Sequence, residues 1–121
     1  MDVSRRRKRD EAAAQLAAGV SSYGFDIPIE DILDARRGSA EAALARQVAM
    51  YLCHIAFELS LARVAQAFGR DRSTVAHACH RIEDRRDDEA FDHWISALEA
   101  TLREAPSPGG APMRLRVGER R

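Results

Sequence analysis

Apolar residues recur at helical intervals through most of the chain, and no segment alternates at the two-residue period of a half-buried strand. Between residues 10 and 20, Ala13, Leu16, Ala17 and Val20 make one weak apolar face, and Gly19 predicts the end of that helix. The segment Tyr23-Gly24-Phe25-Asp26-Ile27-Pro28 breaks the pattern, and Pro28 suits the start of a short helix running to Leu33. A longer helix is predicted over 40–57, where Leu44, Val48, Tyr51, Leu52 and Ile55 fall at i, i+4, i+7, i+8 and i+11 and form a core-facing stripe. Ser60, ahead of Leu61, Val64 and Phe68, reads as the cap of a short helix that Gly69 breaks. Val75, Ala78, Cys79 and Ile82 share one side of the next helix. Phe91, Trp94, Ile95, Leu98 and Leu102 share a face of the last, over 88–104, which Asp87, Asp88 and Glu89 open with the negative charge a helix N-terminus favours. The pattern is that of one all-α domain over 10–104, between a basic flexible N-terminus (1–9) and a flexible basic tail (105–121) with the composition of a mobile segment.

With 121 residues there is room for one small domain, and 45% hydrophobic against 31% charged residues is a soluble globular balance rather than a disordered one. No apolar run approaches the roughly 20 residues of a membrane helix. The N-terminus lacks an apolar signal-peptide core, so a cytoplasmic location is expected. Two cysteines support neither a disulfide framework nor a four-ligand zinc site. Each precedes a histidine, as Cys53-His54 and Cys79-His80, but helical neighbours point about 100° apart and chelate one ion poorly. Buried free thiols are the expectation, with no metal and no cofactor.

Nineteen basic residues balance nineteen acidic ones, and the zero sum hides a segregated pattern. Residues 1–9 carry five bases and one acid, and residues 22–34 four acids and no base. From Ala35 to Ile82 there are seven arginines and three histidines against three acids, whereas 83–99 hold seven acids and two arginines. A basic centre between acidic flanks can present a DNA-facing side at zero net charge; solvated helix faces are the plainer alternative. The basic N-terminal run and tail likewise suit either diffuse phosphate attraction or solubility.

Residues 60–84, SLARVAQAFGRDRSTVAHACHRIED, tip that balance. A short helix, a break at Gly69-Arg70 and a second helix with a polar face make a helix-turn-helix, whose second helix enters the major groove with its N-terminal residues at base edges. Those residues are Asp71, Arg72, Ser73 and Thr74. Arg72 can donate two hydrogen bonds to guanine, Asp71 can accept from cytosine, and Ser73 and Thr74 can serve bases or phosphates. Asp71 also suits a helix cap, and the two roles are compatible. His77 and His80, with Ser73 and Asp71 nearby, hold the ingredients of acid–base chemistry, but helical spacing does not assemble a triad and no catalytic residues are assigned. Trp94 is expected to anchor the last helix in the core; stacking on a base would require it to be exposed.

The sequence resembles the C-terminal DNA-binding domain of the bacterial chromosomal replication initiator DnaA. Three stretches carry the likeness: Arg46-Gln47-Val48-Ala49-Met50-Tyr51-Leu52, Ser60-Leu61 to Phe68-Gly69, and Arg70-Asp71-Arg72-Ser73-Thr74-Val75-Ala76-His77-Ala78-Cys79. Ile27 to Leu33 is similar to the segment before that family's basic loop. The resemblance covers residues 10–104 and implies a helix-turn-helix domain of the Trp-repressor-like type that binds a short initiator box in double-stranded DNA. By position it implies base reading by Asp71, Arg72 and Ser73, with Thr74 beside them as a base or phosphate contact and Arg37 as the minor-groove arginine; Arg36, Arg46, His54, Arg70 and His77 are the further candidates for minor-groove or phosphate contact. Arg72 stands where the family has a histidine, Ser73 where it has a threonine, and one turn glycine replaces two. The loop before Arg46 is less basic, and His54-Ile55-Ala56-Phe57 replaces a more polar stretch. Nothing resembles the GxxxxGK[ST] phosphate loop of the initiator's nucleotide-hydrolysing module, so no nucleotide cofactor and a free-standing domain, nucleoid-associated, are expected.

Two functions follow. The first is a DNA-binding factor in control of replication initiation or transcription. The second keeps the fold but acts as a protein-interaction regulator of the initiator or its control proteins, motivated by the eroded basic loop and the acidic segment 83–92.

Overall fold

The computed structural model describes residues 2–36 and 38–106, which form six helices and no strand: α1 (Val3–Phe25), α2 (Ile29–Leu33), α3 (Ala40–Ala56), α4 (Leu61–Phe68), α5 (Arg72–Arg85) and α6 (Glu89–Glu104). None is long and apolar enough to cross a membrane. α3 is the central element. Val48, Ala49, Met50, Tyr51, Leu52 and Cys53 are all buried, so this stretch is covered on every side, whereas an amphipathic surface helix buries one stripe. α1 lies against it through Ala13, Ala14, Ala17 and Ala18, whose small side chains allow close approach, and the buried Ser21 hydroxyl donates to the Ala45 carbonyl at 2.7 Å. Ile32, Val64, Val75, Ile82, Ile95 and Leu102 bring the other helices into the same core.

α1 is longer than its weak apolar stripe predicts. It starts at Val3, where the Asp2 carboxylate accepts from the Ser4 amide at 3.0 Å, so residues 3–9, read as a flexible arm, are its first turns. Gly19 does not end it. The left-handed residue that closes the helix is Asp26 (φ 57°), whose amide donates to Ser22 O, and packing of Ala17, Ala18 and Ser21 against α3 carries the chain past the glycine. The other boundaries fall close to expectation: Ser39, Ser60 and Asp88 each accept a first-turn amide at the starts of α3, α4 and α6. Of the tail, residues 107–121 lie outside the described residues.

Polar links fix the helices relative to one another. Arg63 of α4 forks onto the buried Asp10 of α1, with Nε–Oδ2 2.9 Å and Nη2–Oδ1 2.7 Å. Arg86, just past α5, donates to Tyr51 Oη on α3 at 2.9 Å and to Asp92 and Ser96 on α6, while Tyr51 Oη donates to Glu83. Part of the acidic run 83–92 is therefore spent inside the fold. Trp94 is half-buried, edge-on to Phe25 at 5.1 Å and beside Phe91 at 5.7 Å, which is the anchoring role expected of it.

Candidate nucleic-acid interface

The turn between α4 and α5 is built from few parts. Gly69 adopts φ 67°, a left-handed conformation that costs glycine nothing, and its amide and that of Arg70 satisfy carbonyls at the end of α4. Two residues later α5 begins. Its buried side is Val75, Ala78 and Ile82, packed against α3 and α4, so Arg72, Ser73, Thr74 and His77 are directed outward. Asp71 holds the N-cap position with extended backbone (φ −73°, ψ 149°), yet its carboxylate accepts no capping hydrogen bond; only its carbonyl does, from Val75 N at 3.2 Å. The capping alternative for this carboxylate is thus unused, and Asp71, Arg72, Ser73 and Thr74 form one exposed polar turn.

The surrounding cations divide into two groups. Arg46 was expected at phosphate and is not presented for it. Its guanidinium is buried and donates to the carbonyls of Ile32 (2.7 Å), Asp31 (2.8 Å) and Asp34 (3.0 Å), closing the C-terminal end of α2. A five-residue helix leaves its last carbonyls open, and an arginine fork from α3 satisfies them. Burial, and then the neighbouring charge of Arg70, lowers the Arg46 pKa from its ordinary value. Arg70 itself reaches back to Leu33 O and Phe68 O, both at 3.3 Å, and is half-buried, so it ties the helix-turn-helix to α2. His54 lies about 12 Å further along α3 than Arg46. Its Nδ1 donates to Leu59 O at 2.7 Å, bridging the α3–α4 connection, and it is not gathered with the others. Arg36 is exposed and pairs with Asp34 at 3.3 Å, which raises its pKa. Arg37 lies outside the described residues.

Thr74, His77, Arg46 and Arg70 meet along a shallow groove of about 250 Å³ between α5 and α3. Gln47 lines it too, half-buried and next to Arg46, and was not among the predicted contacts. Its signal was available: a polar side chain one residue before the core position Val48, inside the Arg46-to-Leu52 run. Cys53 is buried and Cys79 half-buried, both as free thiols, and burial pushes them up to about 12 and about 11. No cluster of three or more metal-ligating side chains occurs among the described residues.

Residues 14–82 match the family described as the bacterial dnaA protein helix-turn-helix. The chain is 38% identical over 95 residues to the chromosomal replication initiator protein DnaA of Mycobacteroides abscessus, which covers 77% of this chain and 19% of that protein. Against the DnaA of Aquifex aeolicus it is 37% identical over 87 residues, covering 70% and 21%. Against that of Symbiobacterium thermophilum it is 40% identical over 81 residues, covering 65% and 18%. The chain thus spans about a fifth of the length of these relatives. In three dimensions it resembles a DNA replication initiation factor, with TM-score 0.73 and 28% identity over 84% of this chain and 31% of the other. It also resembles a replication initiator DnaA bound to AMPPCP and single-stranded DNA, with TM-score 0.71 and 27% identity over 85% and 31%. With the helix-turn-helix formed by α4, Gly69 and α5 lying inside the matched segment, this all-α chain belongs to the bacterial DnaA helix-turn-helix family.

Proposed function

We propose that the chain binds double-stranded DNA at initiator-box-like sites, with the first turn of α5 in the major groove, and acts in control of chromosomal replication initiation or transcription. The observation that carries this reading is the run Asp71, Arg72, Ser73 and Thr74, four consecutive exposed side chains on a helix held rigidly by α3 and α4. Arg72 donates to O6 and N7 of a guanine, Asp71 accepts from a cytosine amino group, and Ser73 and Thr74 contact bases or phosphate. Arg36 and His77 lie at or beside the backbone, and Arg37 is carried over from the family resemblance as the minor-groove arginine. Arg46 and Arg70 are left out because Arg46 Nε and Nη2 and the Arg70 guanidinium donate to backbone carbonyls.

The test is fluorescence anisotropy with an initiator-box duplex and a scrambled duplex over a salt series. Preference for the box supports site-specific binding, and the salt slope counts phosphate contacts. Arg72→Ala should cost about 1–3 kcal/mol and relax discrimination at one base pair; an unchanged preference would remove Arg72 from base reading. A second reading, a regulator that binds the replication initiator or its control proteins and touches DNA weakly, is favoured by the inward commitment of Arg46 and Arg70. Absence of binding to both duplexes would select it.

A further inference from the structure

Among the described residues the large apolar side chains that stand exposed are Val3, Leu16 and Tyr23, and all lie on α1. Leu16 and Tyr23, 42% and 89% exposed, are seven residues apart and share one face of the helix. At about 100° per residue that face also carries Ala12 and Gly19. It points away from the buried Asp10, Ala14, Ala17 and Ser21, which turn α1 toward the core. Nothing in the fold covers its middle, since a Cβ built on Gly19 meets no atom within 4 Å.

The two ends of this face are charged, with opposite signs. Arg5 and Lys8, both exposed, extend it toward the N-terminus, and Asp26, the exposed residue that closes the helix, ends it about 30 Å away. No hydrogen bond or ion pair to a described residue holds the side chains of these three. Beside Asp26 a recess of about 520 Å³ opens between Tyr23, Ile27 and Pro28.

A stripe in this order complements its own reverse. Two α1 helices laid antiparallel about a twofold axis midway between Leu16 and Gly19 bring Leu16 of each copy over Gly19 of the other. The same axis sets Tyr23 across from Ala12, so each large side chain meets a small one, as close helix packing requires. It also carries Lys8 and Arg5 of each copy to Asp26 and the exposed Glu30 of the other. A parallel pair would instead set Tyr23 on Tyr23, Arg5 on Arg5 and Asp26 on Asp26, large on large and like charge on like.

We propose that α1 pairs antiparallel with α1 of a second copy of this chain through Ala12, Leu16, Gly19 and Tyr23, with Lys8 and Asp26 setting the direction. The face lies on α1 and includes none of the turn from Asp71 to Thr74, so the pairing stands apart from the DNA-binding reading. A pair presents two such turns related by the twofold axis. One helix pair buries less than the roughly 1,200 Å² of a stable interface, so the dimer is weak and forms as concentration rises.

The experiment is sedimentation equilibrium on the full chain from about 10 µM to about 1 mM, at low and high salt, with circular dichroism checking that each variant is folded. The expected result is a reversible monomer–dimer equilibrium that high salt weakens. Leu16→Gln/Tyr23→Gln, at two exposed positions, should abolish the dimer. Gly19→Gln is the sharper variant. Its side chain enters open space within one copy, so the fold should be at least as stable as the parent's, yet it occupies the place of the partner's Leu16 and should weaken pairing by about ten-fold or more. Lys8→Glu or Asp26→Lys alone should weaken pairing, and the two together should restore it, because each copy then meets the reversed charge of the other. A folded Gly19→Gln chain that pairs as the parent does overturns the proposal. So does a folded Lys8→Glu/Asp26→Lys chain that pairs no better than its single variants. A parent that stays monomeric at every concentration overturns it too, and co-sedimentation of that monomer with anionic phospholipid vesicles would give the stripe to a bilayer surface instead.

Discussion

Replacing Arg46 separates a structural arginine from a DNA contact. Arg46→Met keeps most of the aliphatic stem and deletes the guanidinium, so three carbonyls at the end of α2 lose their donor. A hydrogen bond from a charged group is worth about 1.5–3 kcal/mol net, and a buried acceptor left unpaired costs about 1–3 kcal/mol. The bond to Ile32 O is buried, while those to Asp31 O and Asp34 O are only partly so and water can replace them. The expected loss is therefore about 2–4 kcal/mol, below the simple sum of three bonds. At about 4–8 °C per kcal/mol for a domain of this size, the melting temperature should fall by roughly 10–25 °C. Urea denaturation followed by circular dichroism measures the free energy, and anisotropy below the transition measures the salt slope, which should not change. Arg46→Lys adds a control, since one ammonium cannot span three carbonyls and should recover only part of the loss. A Met variant within about 0.5 kcal/mol of the parent, with a slope lowered by about 0.9, would refute the structural assignment and return Arg46 to the phosphate contacts.

Three other outcomes follow from the packing. A Cβ added at Gly24 would lie 2.7 Å from Cζ2 of Trp94, a ring held between Phe25 and Phe91, whereas one added at Gly19 meets nothing within 4 Å. Gly19→Ala should stabilise by about 0.5–1 kcal/mol and Gly24→Ala should destabilise by about 1–2 kcal/mol; thermal melts giving both the same sign would contradict the Trp94 contact. Arg63→Met strands the buried Asp10 carboxylate and should cost about 2–3 kcal/mol, more than Asp10→Ala, which leaves an arginine already 36% exposed free to turn to water. Equal losses in denaturant titrations would refute that asymmetry. Tyr51 is pushed up to about 12, first by burial and then by its bond to Glu83. Between pH 10 and 12 the unfolded chain releases this proton and the folded one keeps it, so the contribution is full below pH 10 and is lost as pH rises to 12, by up to about 2–3 kcal/mol. Urea midpoints of Tyr51→Phe against pH should fall less steeply in that window, the remaining slope coming from Cys53 and Cys79; an identical slope would exclude Tyr51 as its source.

Local signals determined much of this protein. The helical period, the caps Ser60 and Asp88, the breaker Gly69 and the stripes through Val48 and Ile95 specify an all-α chain with a helix-turn-helix, because each acts within a turn or two of backbone. The outward-facing turn from Asp71 to Thr74 was legible for the same reason: the apolar positions Val75, Ala78 and Ile82 fix which side of α5 is turned in.

Charge was not legible in this way. An arginine reads the same in sequence whether it meets phosphate, carbonyl or carboxylate, and its long stem lets tertiary neighbours choose. Arg46 is drawn inward by the open carbonyls of α2, fourteen residues away, while Arg81, plain in sequence, is left outward beside Gln47. The N-terminal basic run, exposed from Val3 to Lys8, extends a helix that Arg63, far along the chain, anchors at Asp10 and that is buried from Ala13 onward. Sequence settled most of the helical segments and which faces turn inward; only the fold decided how far α1 extends, which charges were consumed in building it and which remained for a partner.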